Sequence, residues 1–235
     1  MPPRAVRAVH LRPSAELAER VLLPGDPHRA LFVAQALLER PIMFNHRRGL
    51  WGYTGAAPDG KPVTVQSTGM GGPSAAIVTE ELIALGARRL VRIGTCGALD
   101  SSLAMGELLA AEDALAADGA SRALGAEGRV PADPELTGAL AHAGAPAVTV
   151  VSTDLFFEPR VRAEEGWRAA GASAVEMEAA TVLQVAHLRG ARAACALAVT
   201  DVPGRGDEAE RLDDDGLAAL GVRLGELGLA ALGAA

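Results

Sequence analysis

Cysteine is scarce in this 235-residue chain, which contains only Cys96 and Cys195. Neither belongs to a CxxC pair or a His/Cys cluster, so the sequence predicts no metal site. Two isolated thiols suit a reducing cytoplasm, and we expect both to be buried as small apolar side chains. Aromatic residues make up only 3% of the chain, so the few that occur are of interest as possible ligand contacts.

Long apolar runs and an excess of positive charge are also missing. No stretch of about 18 or more purely apolar residues marks a membrane span, and the N-terminal residues lack the apolar run of a signal peptide. We therefore expect a cytoplasmic protein without a membrane partner. The net charge of −7 disfavours nucleic acid as a partner, because such binding depends on neutralising phosphates. A local site for a small anion stays open, since several arginines can converge.

Strand-like apolar runs alternate with helical Ala/Leu-rich segments. Strands are predicted at residues 21–23, 63–66, 90–93, 148–151 and 194–199, and helices at 28–38, 74–85, 174–189 and 217–232. This alternation predicts an α/β fold whose central sheet is mixed but mostly parallel and is flanked by helices. The length is compatible with a single domain over residues 1–235.

Unusual residues follow the predicted strands. They are Gly25 and Asp26, residues 68–72, residues 94–97, Thr153 and Asp154, and Asp201. Ligands of open α/β sheets bind outside the carboxyl ends of the strands. We therefore expect these five turns to converge on one site.

Two glycine-rich turns are candidates for binding an anion. The turn T-G-M-G-G-P-S at residues 68–74 leads into a helix, whose N-terminus favours anions, although it also reads as an ordinary tight turn. In R-I-G-T-C-G, residues 92–97, Arg92 lies beside apolar residues where an unpaired charge is costly. Either a bound phosphate or a structural carboxylate partner would compensate the charge of Arg92 in these surroundings.

Further charged residues lie in the turns. Arg29, Arg47 and Arg48 suit phosphate geometry but also fit solvated loops. Asp201 ends a strand, where it is either a general acid or base or a cap for the following segment.

The segment S-A-V-E-M-E-A-A-T-V, residues 173–182, places Glu176 and Glu178 in small apolar surroundings. A buried carboxylate without a partner is costly. The segment therefore raises the question of what partners these two carboxylates have.

Seven motifs occur in one order: P-G-D-P-x-R, R-G-L-W-G-Y-T-G, T-G-M-G-G-P-S, R-I-G-T-C-G-A-L, S-T-D-L-F-F, V-E-M-E-A-A and T-D. Together they resemble the nucleoside phosphorylase family of bacterial hexameric purine nucleoside phosphorylases and uridine phosphorylases. The resemblance implies a nucleoside phosphorylase-like fold and a reaction in which a nucleoside and inorganic phosphate, the co-substrate, give free base and ribose 1-phosphate. It implies no other cofactor, and it implies a homo-oligomer with shared active sites, a hexamer built as a trimer of dimers.

The resemblance also implies roles at the phosphate and sugar ends. The matched phosphate-binding positions are Gly25, Arg29, Arg92 and Thr95, with Arg48 contributed by a neighbouring subunit. The matched ribose contacts are Met70, Met177, Glu178 and His10, of which His10 reaches a neighbour's ribose 5′-hydroxyl. On this interpretation the partners of Glu178 are the 2′- and 3′-hydroxyls, which are two donors for one carboxylate.

At the base end, the resemblance assigns Phe156 to stacking near the base and Asp201 to the general acid, supported by Arg211. Glu176, on the same predicted helix as Glu178, is expected to serve base recognition or to support the site. Arg162 matches a base-reading arginine of the uridine enzymes, whereas Arg160 does not match their glutamine.

Three alternatives follow from these assignments. Arg29, Arg48 and Arg92 favour a phosphorylase over a nucleoside hydrolase, which needs no phosphate site. Asp201 favours purine nucleosides over uridine, while Thr95 and Arg162 are also compatible with uridine phosphorylase. A non-catalytic nucleoside-binding module on the same fold is the third alternative, because fold alone does not fix function.

Overall fold

One continuous mixed sheet organises the protein. The computed structural model describes residues 7–160, 162–202 and 214–234. Its strands are β1 (Arg20–Pro24), β2 (Glu39–Asn45), β3 (Gly52–Ala56), β4 (Pro62–Gln66), β5 (Arg89–Ala98), β6 (Leu108–Ala116), β7 (Arg129–Pro131), β8 (Ala147–Ser152), β9 (Ala174–Glu176) and β10 (Arg192–Asp201). The helices are α1 (Pro27–Leu37), α2 (Gly72–Leu85), α3 (Gly119–Ala123), α4 (Pro134–His142), α5 (Ala163–Ala169), α6 (Ala179–Arg189) and α7 (Asp214–Ala234), with a short 3-10 turn at Arg47–Gly49.

The strand order is β10-β6-β8-β9-β5-β1-β4-β3-β2, with β7 beside β6, and β10 also pairs with β5. This second pairing closes β5, β10, β6, β8 and β9 into a ring. The α/β fold with a mixed sheet is confirmed. The parallel pairs include β4–β1, β1–β5 and β5–β10 at the centre, while β2–β3, β3–β4, β5–β9, β6–β7 and β6–β10 are antiparallel.

Helices cover both faces of the sheet, and β10 shows how the sequence achieves this. Cys195, Leu197 and Val199 join the core formed with α2 and α6, while Ala194, Ala196 and Ala198 join the core formed with α1, α4 and α7. Successive side chains of a strand point to opposite faces, so a continuous apolar run serves both. Both cysteines are buried and unpaired, as predicted.

Two predicted boundaries are wrong. Residues 174–176 belong to strand β9, not to a helix, because they pair with β5 and β8. Strand β5 continues to Ala98 because its glycine-rich end still pairs with β10, so residues 94–97 lie within the strand instead of after it.

Helix α7 packs closely on α1 and on the sheet because Gly221, Gly225 and Gly228 face these neighbours. A Cβ on Gly225 would lie 2.7 Å from Val33, and one on Gly228 would lie 2.7 Å from Leu22. By length and composition alone, the segment Gly216–Ala234 is long and apolar enough to cross a membrane. Its Leu220, Leu224 and Leu227 are buried in the core of the sheet, so we interpret it as a core helix.

Candidate active site

An open cavity of about 690 Å³ lies at one edge of the sheet. All five segments singled out in the sequence contribute residues to its lining. Ten of the candidate site residues are among those that line it: Gly25, Arg29, Met70, Arg92, Thr95, Phe156, Glu176, Met177, Glu178 and Asp201. Met70 and Phe156 are exposed. The fold thus brings together segments that span most of the chain.

Arg92, on β5, is a buried cation that lines this cavity. Its side chain is 4% exposed and forms ion pairs with two carboxylates, Glu176 at 3.0 Å through Nε and Glu178 through Nη2. Burial lowers the pKa of Arg92, but the charges of Glu178 and Glu176 outweigh this effect and raise the pKa above its ordinary value. The third nitrogen, Nη1, is buried and has no hydrogen-bond acceptor among the described residues.

Glu178 has protein partners in this structure. One carboxylate oxygen accepts the backbone N–H of Gly71 and the other accepts a hydrogen bond from Arg92 Nη2. The burial of Glu178 is therefore already compensated by protein partners and does not require sugar hydroxyls. Contact with a ribose stays a prediction. The glycine-rich turn at Gly71 and the strand carrying Arg92 are thereby joined through one carboxylate.

Glu176 lies at the end of β9, three residues before helix α6 begins. Its carboxylate accepts hydrogen bonds from Arg92 Nε at 3.0 Å, from the backbone N–H groups of Glu178 and Ala179 at 2.8 and 2.9 Å, and from the Ser152 hydroxyl. Burial raises the pKa of Glu176, and the positive charge of Arg92 opposes this effect. Both glutamates of the apolar segment are thus satisfied by the protein itself.

Arg29 supplies a second positive charge to the cavity. It lies in the first turn of α1, whose N-terminus is capped by the Asp26 side chain through a 2.8 Å hydrogen bond to the Arg29 N–H. Its guanidinium makes no hydrogen bond to a described residue. Burial lowers the pKa of Arg29, and the like charge of Arg92 lowers it further, although Asp26 and Glu178 oppose the shift. Two neighbouring guanidiniums with unused donors form a suitable site for an anion.

Asp201 is the last residue of β10 and lines the same cavity. The Thr200 hydroxyl donates to its Oδ2 at 3.1 Å. Cys96 also lines the cavity, but burial raises the pKa of its thiol well above the ordinary value, so it is a poor nucleophile near neutral pH. A carboxylate is therefore the suitable group for proton transfer on this wall.

Three described candidate residues do not line the cavity. His10 contacts Glu81 on α2. Arg48 is exposed in the 3-10 turn. Arg162 is exposed before α5 and is not part of the cavity lining. Arg211 lies outside the described residues. The roles of these four residues stay predictions.

Sequence reasoning missed Ser152 and Asp118, which are fully buried and hydrogen-bonded near the site. Asp118 accepts hydrogen bonds from Thr181 Oγ1 at 2.8 Å and from the backbone N–H of Ser121 at 2.8 Å. For Ser152, the one available signal in the sequence was its position at the end of a strand, directly before the candidate residue Thr153. Asp118 follows β6, which the sequence reading did not predict.

The architecture and this cavity define an α/β protein with arginine and carboxylate side chains gathered at one edge of its sheet. The chain belongs to the Phosphorylase superfamily, whose family model matches residues 19–231.

Among its relatives is the "Purine nucleoside phosphorylase DeoD-type" of Geobacillus kaustophilus (strain HTA426), 35% identical over 83% of this chain and 86% of the relative. The proteins of the same name from Alkaliphilus metalliredigens (strain QYMF) and Clostridium beijerinckii (strain ATCC 51743 / NCIMB 8052) are each 36% identical. The first match covers 79% of this chain and 83% of the relative, and the second covers 83% and 86%.

Proposed function

We propose that this protein is a purine nucleoside phosphorylase. It cleaves the N-glycosidic bond of purine ribonucleosides or deoxyribonucleosides with inorganic phosphate and releases free base and the pentose 1-phosphate. The observation that carries the proposal is that Arg92 lines the same cavity as Asp201 and has one guanidinium nitrogen, Nη1, that is buried and has no acceptor among the described residues. The family membership and the names of the relatives support the same reaction.

At the phosphate end, Arg29 and Arg92 hold the co-substrate together with Gly25 and Thr95. A guanidinium donor suits a phosphate oxygen in geometry and charge. The bound phosphate attacks C1′ of the sugar, and the bond from C1′ to the base nitrogen breaks. Positioning and electrostatics supply most of the rate enhancement in this reaction type.

At the base end, Asp201 donates a proton to N7 of the purine, so that the base leaves as a neutral molecule. A general acid must carry a proton when substrate binds, or receive one by relay. Met70, Met177 and Glu178 contact the ribose, and the negative charge of Glu178 favours the oxocarbenium-like character of the transition state. Phe156 stacks near the base.

We further propose that subunits share their active sites within a homo-oligomer, a hexamer built as a trimer of dimers. His10 and Arg48 do not line the cavity of their own chain. Arg48 has a φ of 59°, an uncommon value for a residue other than glycine and one that is found at functional sites. The edge strand β2 exposes Ile42 and Met43, as expected of an interface strand.

Mixed oligomers test the shared site. Arg48→Ala and Asp201→Asn subunits, carrying different tags, are co-expressed and purified through both tags. Each variant alone should have low activity, whereas the mixed oligomer should recover activity at sites that combine the intact Arg48 of one subunit with the intact Asp201 of the other. Mixed oligomers that are no more active than the parents would refute sharing.

A substrate panel tests the reaction itself. Adenosine, inosine, guanosine and uridine are incubated with the enzyme, with and without phosphate, and free base is followed by chromatography. Release from purines only with phosphate is expected. Release from uridine alone would show a uridine phosphorylase, release without phosphate would show a hydrolase, and ligand binding without turnover would show a non-catalytic module.

The cellular setting is part of the proposal. Both cysteines are unpaired and buried in the described chain, which suits a reducing cytoplasm. We propose a cytoplasmic enzyme of purine salvage or nucleoside catabolism in which residues 1–235 form one domain.

A further inference from the structure

The hydrogen-bond direction at Ser152 is determined by its surroundings. Ser152 ends β8 and is fully buried. Its Oγ accepts the backbone N–H of Ala180 at 2.8 Å, so its own proton is free to be donated to Glu176 Oε1. A serine hydroxyl has one proton, and an ionised Glu176 can only accept. Ser152 thus holds Glu176 against the first turn of α6.

The Glu176 carboxylate has no acceptor capacity left for a ligand. Oε1 accepts from the Ser152 hydroxyl and the Ala179 N–H, and Oε2 accepts from Arg92 Nε and the N–H groups of Glu178 and Ala179. An ionised carboxylate offers about four lone-pair positions, so these contacts occupy it fully. With its side chain 1% exposed, Glu176 presents no oxygen to the edge of a purine.

The guanidinium of Arg92 is fixed by the same network. A guanidinium is planar, so two engaged nitrogens set the direction of the third. Glu176 accepts a hydrogen bond from Nε and Glu178 accepts one from Nη2, so these two carboxylates set the direction of Nη1, which has no partner among the described residues. The absence of a side chain at Gly94 makes this placement possible, because a Cβ there would lie 2.8 Å from Nη2 and 3.0 Å from the guanidinium carbon.

We propose that Glu176 is a positioning residue for the phosphate end of the site, that Ser152 orients it, and that Glu176 does not read the base. The proposal rests on the proposed phosphorolysis, because it identifies Arg92 Nη1 as the donor to phosphate. Glu176 orients Arg92 directly, and it fixes Glu178 by accepting the N–H groups at the start of α6.

Calorimetric binding of inorganic phosphate, adenine and hypoxanthine tests the proposal without requiring turnover. In Glu176→Gln the phosphate Kd should rise about tenfold or more, as expected when a hydrogen bond to a charged group is lost. The ratio of the adenine and hypoxanthine Kd values should stay within about twofold, on the scale of a surface substitution. In steady-state assays the phosphate KM should rise while the ratio of kcat/KM for adenosine and inosine stays constant.

Ser152→Ala is the second variant and decides the question if Glu176→Gln does not fold. Ser152→Ala removes one hydroxyl, so the phosphate Kd should rise less than in Glu176→Gln. Ser152→Thr keeps the hydroxyl, so it should bind phosphate more tightly than Ser152→Ala. Glu80→Gln is the matched control, because Glu80 pairs with Arg189 at 2.6 Å between α2 and α6 outside the cavity; its phosphate Kd should not change.

Two results overturn the proposal. One is an unchanged phosphate Kd in the folded variants, and the other is a change in base preference beyond the stated range. If the wild-type protein binds phosphate but releases no base, the proposed function fails while the positioning role is still decided by the binding data. If the wild-type protein binds no phosphate, both fail.

Discussion

The Nδ1 atom of His10 lies 2.7 Å from a carboxylate oxygen of Glu81, in the middle of helix α2. The backbone N–H groups of His10 and Leu11 donate to the same carboxylate, at 3.0 and 2.7 Å. One glutamate whose side chain is 5% exposed therefore fixes the N-terminal segment on α2. Because Nδ1 is engaged, the second ring nitrogen of His10 is the one left for a contact outside the chain.

Replacing Glu81 with Gln should destabilise the protein. Gln keeps the size but lacks the charge and one acceptor, so a buried N–H loses its partner at a cost of about 1–3 kcal/mol. Urea unfolding measures this difference in the free energy of unfolding. Glu16→Gln, at an exposed position, is the control and should change stability by no more than about 0.5 kcal/mol. Equal stabilities of the two variants would contradict the role of Glu81.

The stabilisation by Glu81 should depend on pH. Burial raises the pKa of Glu81, but hydrogen bonds from Leu11 and His10 outweigh this effect, and the net pKa lies below the ordinary value of 4.5. A carboxyl group with a lowered pKa contributes stability above its ordinary pKa, and this contribution is lost as the pH falls through the lowered value. The stability difference between wild type and Glu81→Gln should therefore be full near neutral pH and shrink below pH 4.5. A difference that is independent of pH would contradict this interpretation.

Replacing Arg29 with Ala should weaken phosphate use selectively. The Arg29 guanidinium lines the cavity and makes no hydrogen bond to a described residue, so its removal breaks no described ion pair. The phosphate KM should rise about tenfold to a hundredfold, with little change in the nucleoside KM. Steady-state kinetics with each substrate varied in turn measure the two values. The control is Lys61→Ala, which removes an exposed cation outside the cavity lining and should leave both KM values unchanged. If Arg29→Ala raises the nucleoside KM more than the phosphate KM, Arg29 does not bind phosphate.

Two Gly-to-Ala substitutions should have opposite effects on stability. A Cβ at Gly72 would lie 2.8 Å from Ala120, Asp118 and Thr181, so Gly72→Ala should cost about 1–3 kcal/mol through overpacking. In Gly138→Ala the Cβ meets nothing within 4 Å inside α4, so the substitution should add about 0.5–1 kcal/mol. Urea unfolding of both variants measures the two effects, and a loss at both positions would contradict the packing described for Gly72.

The sequence predicted the central strands and most of the flanking helices because their apolar runs are continuous. Strands such as β1 and β10 are buried on both faces, and this burial requires unbroken Val, Leu and Ala. Strands β2 and β3 were not predicted, because β2 is largely exposed and β3 contains two glycines. Their position depends on antiparallel pairing with β4, which is not visible in local sequence.

The cavity was predictable from the residues at strand ends, but its internal contacts were not. The pairing of Arg92 with Glu176 and Glu178 joins β5 to the segment before α6, and only the folded sheet brings these segments together. The roles of the individual residues remain predictions that the experiments above decide.

The pairing of β5 with β10 places Arg92 opposite Cys195, a residue from the final part of the chain. Gly25, directly after β1, lines the same cavity as Asp201 at the end of β10, so segments from distant parts of the chain must come together before the cavity is complete. During synthesis, Arg92 emerges long before its carboxylate partners and before Asp201. A fragment that ends before β10 therefore lacks Thr200 and Asp201 from the cavity lining, so a chain that is still being synthesised cannot complete this cavity until β10 has been made.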